Sequence, residues 1–576
     1  MRIQAWLAVV GIAGVAIHPH ESRAQATSAK RAEPSIQSIY PFTLERGKRS
    51  LITVRGSGLK GVYAAMLPTS GLRARTRGVS TQPPGIKKPV DEVQLQIEVE
   101  ASLAPGRYPL RLVTTSGVTN ALPLLVTDLP VLSEPEGAHD AADTAIPIAE
   151  KSAVYAGRLL RRGEADYYRL EARAGEVMTF EVVSGLPQIA AAGSAATVPN
   201  FDPALTILEA GASWFDPRRL RRVAFNDEPA FVFGRLTDAH LTHRFERTGV
   251  YWLRVEAFAG QGGPDYSYHL KVLAGEHPPE PSPAPTDWQE RSFSRSLTPA
   301  RLTLLAARGG LPDPGLVMER YQAASTGAPQ SPRIPLPAMV QGVIEKPGQT
   351  HRARFQLESP RDIAIEVETP FRAPPFFNPL VRLVNATGEE IATNLLVGKG
   401  ACTGALTKSL QAKLIVPLRE PGEYTLEVRE LTADHAGSNF QYRIQLRPQI
   451  PHVGQVRIDA DHFNLAPQEA KTIRVSFDRE ENYREGVAIS VENLPPGVSA
   501  HTGSDFIEEP DPPEPVGKRE RFLPKTEQAT VVLSAAQDAR LTPEPVRLRL
   551  LVRPLTNGRL GPVIAEKEIP LMVVEP

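Results

Sequence analysis

Cysteine is all but missing: Cys402 stands alone among 576 residues, so no disulfide can form within the chain and each domain must be held by its own apolar core. Its neighbours Gly400, Ala401, Thr403 and Gly404 supply no base for a nucleophilic thiolate. Cys402 reads as a small semi-buried side chain in a loop, with pairing between chains and nucleophilic catalysis as alternatives. A surplus of either charge is missing as well. Lysine plus arginine and aspartate plus glutamate each total 65, and without a basic excess nucleic acid is not an expected partner. Long hydrophobic runs are confined to the beginning. Met1-Arg2 is followed by an apolar run from Ala5 to Ile17, a polar stretch from His18 to Gln25, and Ala24 and Ala26 in an A-x-A arrangement. The apolar run is shorter than the roughly 20 residues a spanning helix requires. Residues 1–26 are therefore expected to be a secretory signal, with an uncleaved anchor as the alternative. The mature chain is expected to be soluble, without a membrane span, and exported to the periplasm or the extracellular space.

Catalytic signatures are also lacking. The chain has no Gly-x-Ser-x-Gly elbow, His-Glu-x-x-His or Gly-x-x-x-x-Gly-Lys motif, each of which places a nucleophile, metal or phosphate at a fixed geometry. His240 and His243, three apart, would point to opposite faces of an extended segment. Asp459 and Asp461 would share a face but have no third ligand nearby, and read as solvated linker residues. The expectation is a chain that is not an enzyme.

What the chain has is length, proline and self-similarity. Its 576 residues suffice for several domains. The 55 prolines, about twice the usual share, argue for short strands joined by turns rather than long helices. Gly157, Gly163 and Phe180-Glu181-Val182 are answered 185 residues later by Gly342, Gly348 and Ile365-Glu366-Val367. Phe201-Asp202-Pro203-Ala204-Leu205 is answered by Phe377-Asn378-Pro379-Leu380-Val381, and Gly249-Val250-Tyr251-Trp252-Leu253 by Gly422-Glu423-Tyr424-Thr425-Leu426. Tyr266-Ser267-Tyr268-His269-Leu270 is answered by Phe440-Gln441-Tyr442-Arg443-Ile444. The blocks alternate with period two, as half-buried antiparallel strands do, with Tyr251, Leu253 and Val255 inward and Trp252, Arg254 and Glu256 outward. The expected fold is all-β, a tandem array of β-sandwich modules.

The Asp166-Tyr167-Tyr168 strand, Phe201-Asp202-Pro203-Ala204-Leu205, the turn Phe225-Asn226-Asp227-Glu228 and Gly249-Val250-Tyr251 resemble the bacterial pre-peptidase C-terminal domain. The resemblance covers both repeats, 150–275 and 338–448, although His351 and Arg352 replace the Asp-Tyr pair and Leu395 follows Asn394 in the second. It implies jelly-roll-like sandwiches appended to secreted proteins, often peptidases, and used in maturation, export or substrate binding. Residues 34–128, with Pro34-Ser35-Ile36 and Ile52-Thr53-Val54-Arg55-Gly56-Ser57-Gly58, are similar to the IPT/TIG immunoglobulin-like module. Residues 455–576 look like another Ig-like module. The proline-dense stretch 277–337 reads as a linker with a short helix from Pro299 to Arg308. Glu508 to Pro515 reads as an exposed acidic loop, with a site for a cation or basic partner as the alternative.

Two candidate sites emerge. Asp202, Asp216, Asn226, Asp227 and Glu228 are hard oxygen donors in Pro-punctuated loops, a set that suits Ca²⁺; Asn226 and Asp227 equally suit a tight turn. Related modules in some secreted peptidases bind calcium, so the resemblance points to the ion. Tyr168 and Trp252 are expected outward, either as an aromatic platform for glycan or peptide or as contacts covered by a neighbouring domain. The leading functional expectation is a non-catalytic exported protein that binds an extracellular or envelope protein or polysaccharide, or serves as scaffold. The alternatives are an accessory or degenerate member of a secreted peptidase or hydrolase system, and an envelope protein whose modules only extend reach.

Overall fold

Alternation decides the local structure. In Asp91–Val99, Val93, Leu95, Ile97 and Val99 turn inward while Glu92, Gln94, Gln96 and Glu98 turn outward, the period that a strand buried on one face requires. The computed structural model describes residues 33–81, 90–185, 201–211, 220–226, 239–257, 259–277, 319–325, 331–369, 377–399, 406–411, 413–438, 440–503 and 525–576. Among them every regular element is a β-strand, and no helix is long and apolar enough to cross a membrane. The signal segment, Cys402, the helix expected at Pro299 to Arg308 and the acidic loop Glu508 to Pro515 lie outside the described residues.

The strands form four two-sheet sandwiches. In the amino-terminal one, a sheet ordered Ser35–Tyr40, Arg49–Ser57, Asp91–Val99, Leu72–Thr81 faces a sheet ordered Thr43–Glu45, Leu122–Thr127, Gly106–Thr114, Val62–Met66. Ile52, Val54 and Leu95 of the first sheet share one core with Leu110, Leu112 and Leu124 of the second. The carboxy-terminal sandwich repeats this order strand for strand. Its sheets run His452–Asp459, Ala470–Glu480, Lys525–Ala535, Val498–Gly503 and Phe463–Leu465, Ala565–Val573, Val546–Thr556, Val487–Glu492. In both, the second strand pairs in parallel with the last.

The two repeats between them also match. The first has a sheet ordered Val131–Ser133, Ala153–Arg158, Ser267–Ala274, Val177–Ser184, His240–Arg244 against one ordered Ile146–Pro147, Ala165–Ala172, Gly249–Ala257, Pro203–Ala210, Leu220–Asn226. In the second, Glu319–Gln322, Ala338–Val343, Gln441–Pro448, Arg361–Glu368 and Lys413–Leu418 form the corresponding sheet. Its partner is built on Thr350–Leu357, Gly422–Glu430, Pro379–Asn385 and Glu390–Thr393.

Strand pairing departs from the expected linker. Glu319–Gln322 pairs in parallel with Ala338–Val343, while Ala324–Ser325 and Arg333–Ile334 both pair with Thr350–Leu357. Similarly, Val131–Ser133 and Ile146–Pro147, upstream of residue 150, pair in parallel with strands of the first repeat. Such short strands satisfy the backbone groups of an otherwise open sheet edge, and proline density alone does not forbid them.

Candidate functional site

In the first repeat, the inward row of Ala165–Ala172 is Asp166, Tyr168, Leu170 and Ala172, all buried. The Tyr268 hydroxyl bonds Asp166 Oδ2 at 2.6 Å and lies 2.9 Å from the Tyr168 hydroxyl. Gly157 makes room for this group: a Cβ there would sit 2.4 Å from Tyr268 Cζ. Burial pushes the Asp166 carboxyl up to about 7, aided by Glu134 and Glu164 and opposed by the Tyr268 bond and His139. In the second repeat, His351 occupies the place of Asp166, Ala353 that of Tyr168 and Tyr442 that of Tyr268. His351 Nδ1 and the Tyr442 hydroxyl share a bond of 2.8 Å, and a Cβ on Gly342 would lie 2.6 Å from that hydroxyl. Burial lowers the His351 imidazole, against a small upward pull from Glu345. Phe201 and Phe377 pack on the two tyrosines with ring centroids 6.5 and 6.3 Å apart.

Other buried polar groups join modules together. The first repeat turns the outer face of Ser267–Ala274 to the amino-terminal module. There Thr43 Oγ1 and His269 Nδ1 are 2.7 Å apart, Phe42 stacks on His269 at 5.2 Å, and the Ser267 hydroxyl donates to Ile39 O at 3.1 Å. Asp265 accepts from the Ser38 hydroxyl at 2.5 Å and Arg55 Nε at 3.0 Å. Burial pushes the His269 imidazole down to about 3, and the charges of Lys271 and Arg107 add to this.

The second repeat turns the equivalent sheet to the carboxy-terminal module. Its contact is ionic. Arg447 Nη2 reaches Glu366 at 2.5 Å and Glu481 at 2.6 Å, while Lys413 Nζ lies 2.5 Å from Glu481, 2.7 Å from Glu480 and 3.3 Å from Glu366. His452 Nε2 stands 3.4 Å from Glu480. Burial would raise the Glu481 carboxyl, but Arg447, Lys413 and His452 outweigh it and hold it at about 2. His452, Glu480 and Glu481 can bring ligand atoms within 4.8 Å of one another. The Lys413 ammonium and Arg447 guanidinium already pair with these acids, so the cluster is a lock between modules.

The amino- and carboxy-terminal modules also touch. Val113, Val118, Met572 and Val574 form one apolar cluster, Asn464 bonds both Val118 N and Val118 O at 2.7 and 2.9 Å, and Arg111 grips Asp461 with two bonds of 2.7 and 2.5 Å. A cavity of about 410 Å³ opens beside this contact, between Tyr63, Thr115, Leu541 and Met572. In space the order is therefore first repeat, amino-terminal module, carboxy-terminal module, second repeat.

The residues expected from sequence fall differently. Tyr168 is fully buried, not outward: Asp166, two positions earlier, is a charged residue in the inward row and inverts the apparent phase of the alternation. Trp252 does lie on the outer row, half-buried, but its Nε1 donates to Ala142 O at 3.0 Å, so a segment of the same module covers it. Of the calcium candidates, Asp202 directly precedes the strand Pro203–Ala210, and Asn226 Oδ1 accepts from His240 N at 3.1 Å; Asp216, Asp227 and Glu228 lie outside the described residues. His240 and His243 lie on one extended strand. Asp461, expected as a solvated linker residue, instead holds Arg111 and the backbone N–H of Ala121. Its partner is about 350 residues distant, beyond the reach of local pattern.

No family model and no curated protein matches the chain. Among solved structures, it is similar to the pre-peptidase C-terminal domain of a Bacillus anthracis collagenase, at 17% identity over 20% of this chain and 93% of that one, with a TM-score of 0.14. Domains 4 and 5 of the S-layer protein SbsC match at 11% identity over 34% of this chain and 99% of theirs, with a TM-score of 0.15. The tandem CBM22-1-CBM22-2 domain of Paenibacillus barcinonensis Xyn10C matches at 11% identity over 70% and 98%, with a TM-score of 0.14. Likeness at this level carries no functional assignment.

Proposed function

We propose that this protein is a non-catalytic exported scaffold that binds an extracellular or envelope partner, protein or polysaccharide, through the outer faces of its sandwiches. One observation carries the reading: three groups of ion pairs are spent on fastening modules to one another. Asp265 holds Arg55, Asp461 holds Arg111, and Glu366, Glu480 and Glu481 hold Arg447 and Lys413. Catalysis requires groups poised toward a substrate, whereas these are poised toward a neighbouring sandwich. Fixing the modules in one arrangement lowers the ordering cost when several weak contacts engage an extended partner together.

The test is co-sedimentation of the full chain with isolated envelope fractions, followed by analysis of the supernatant for released fragments. Retention on an envelope component without soluble product supports the reading. Release of peptide or sugar fragments, or no retention on any fraction, would overturn it.

A further inference from the structure

One edge of the amino-terminal module carries a row of exposed arginines. Leu72–Thr81 is the outermost strand of its sheet and places Arg73, Arg75 and Arg77 in solvent within five positions. Antiparallel strands rise about 3.4 Å per residue, so alternate residues stand ~7 Å apart on one face. The register pairs Arg73 with Glu98 and Arg75 with Gln96, both outward. Arg77, at the register shift between Thr76 and Gly78, bonds the Gln96 side chain.

The carboxylates of this face are already engaged. Glu98 is held by Arg49 at 3.2 Å, and Glu92 is held by Arg55. Among the described residues, none of the three edge arginines forms an ion pair with an acid. In a chain whose formal net charge is zero, this is a local surplus without internal use. Beside the arginines, Gln94, Gln96 and Thr53 present hydrogen-bonding groups, and Leu51 is 56% exposed on the same outer row.

We propose that this face binds an acidic polysaccharide, a polymer of carboxylated sugars lying across the strand. Guanidinium groups take carboxylates in two-point contacts, the amides and hydroxyl suit sugar hydroxyls, and Leu51 offers apolar area to a sugar ring face. An acidic peptide adding itself as a further strand would use the same charges, but the register shift distorts the edge that such pairing needs. This inference rests on the binding role proposed above and names the class of partner.

The experiment measures binding of the full chain to immobilised polygalacturonate, dextran and polyglutamate, for the natural sequence, the triple variant Arg73→Gln, Arg75→Gln, Arg77→Gln, and a control, Arg559→Gln. Exposed ion pairs are individually weak but three are removed together, so the triple variant should bind polygalacturonate about 10-fold more weakly. The control should be unchanged, and raising the salt to about 0.5 M should weaken the natural protein toward the variant. An unchanged melting temperature shows that the variant folds; a lowered one directs the comparison to the single Arg75→Gln variant, for which a loss of ~2-fold or more is expected. Equal binding of natural and variant chains, equal binding to dextran, or tighter binding to polyglutamate would overturn the proposal. If polygalacturonate is not bound but an envelope fraction still retains the protein, this inference fails and the broader reading stands; if nothing retains it, both fail.

Discussion

The two repeats use the same sheet for docking and solve the problem with opposite chemistry. The first buries a neutral histidine against threonine and phenylalanine, with one Arg–Asp contact at the margin. The second buries two cations among three carboxylates. A shared backbone therefore fixes which face is offered, while side chains decide what the contact tolerates. Neutral burial is broken by adding a proton; an ionic cage is broken by removing a charge.

The largest difference should come from deleting one charge. Arg447→Met leaves Glu366 and Glu481 facing Lys413 alone, and the loss expected for a broken buried pair is roughly 3–5 kcal/mol. Thr43→Val, at the matching contact of the first repeat, should cost only about 1 kcal/mol. Urea unfolding of the full chain measures both, and equal losses would end the distinction between the junctions.

Acid should open the two junctions in sequence. The His269 imidazole titrates near 6.5 when unfolded and is held at about 3 in the fold. Between those values the unfolded chain binds the extra proton, so stability is present above pH 6.5 and is lost as pH falls, by on the order of 5 kcal/mol in full. Glu481 is lowered from 4.5 to about 2, so its contribution is intact at pH 5 and is lost only below about pH 4.5. In an Asp166→Asn background, which removes the opposing titration of the first repeat in the same window, hydrogen exchange at pH 7, 5 and 3 should show protection at residues 267–274 declining before protection at residues 441–448. The reverse order would refute the assignment of neutral and ionic contacts.

Within the cores the pH dependences oppose one another. Asp166 titrates near 3.8 when unfolded and about 7 in the fold. The folded state binds the extra proton in that window, so the first repeat should lose roughly 4 kcal/mol as pH rises through it. His351 is lowered from 6.5, so the second repeat should lose stability as pH falls below that value. Asp166→Asn should remove the first trend and leave the second, read by exchange in residues 165–172 and 350–357.

The smallest effect concerns hydroxyls. Tyr268→Phe removes partners from both Asp166 and Tyr168, whereas Tyr442→Phe removes one from His351. The expected losses are about 2 kcal/mol and about 1 kcal/mol, measured by thermal melting. A greater loss for Tyr442→Phe would contradict the bonding described here.

The sandwiches themselves were legible in the sequence because alternation and turn residues are local. Even the recurring Gly157 and Gly342, Tyr268 and Tyr442, and Phe201 and Phe377 meet in space as the repeat predicts. What was not legible is which outer faces are covered. Asp265, Asp461 and Glu481 look like solvent residues until partners from remote segments are known, and Tyr168 was misdirected by an acid that the fold keeps inside. Glu481 carries one weak local signal, a φ of 54° followed by Asn482 at 65°, a left-handed turn that positions its carboxylate.

The bonds between Asn464 and Val118 cross 346 positions of sequence. During synthesis, the flank of the amino-terminal sandwich stays uncovered until residue 464 and those after it have emerged. Val113 and Val118 face water throughout that interval, and a ribosome that stalls late would release a chain with a sticky seam rather than one merely shorter.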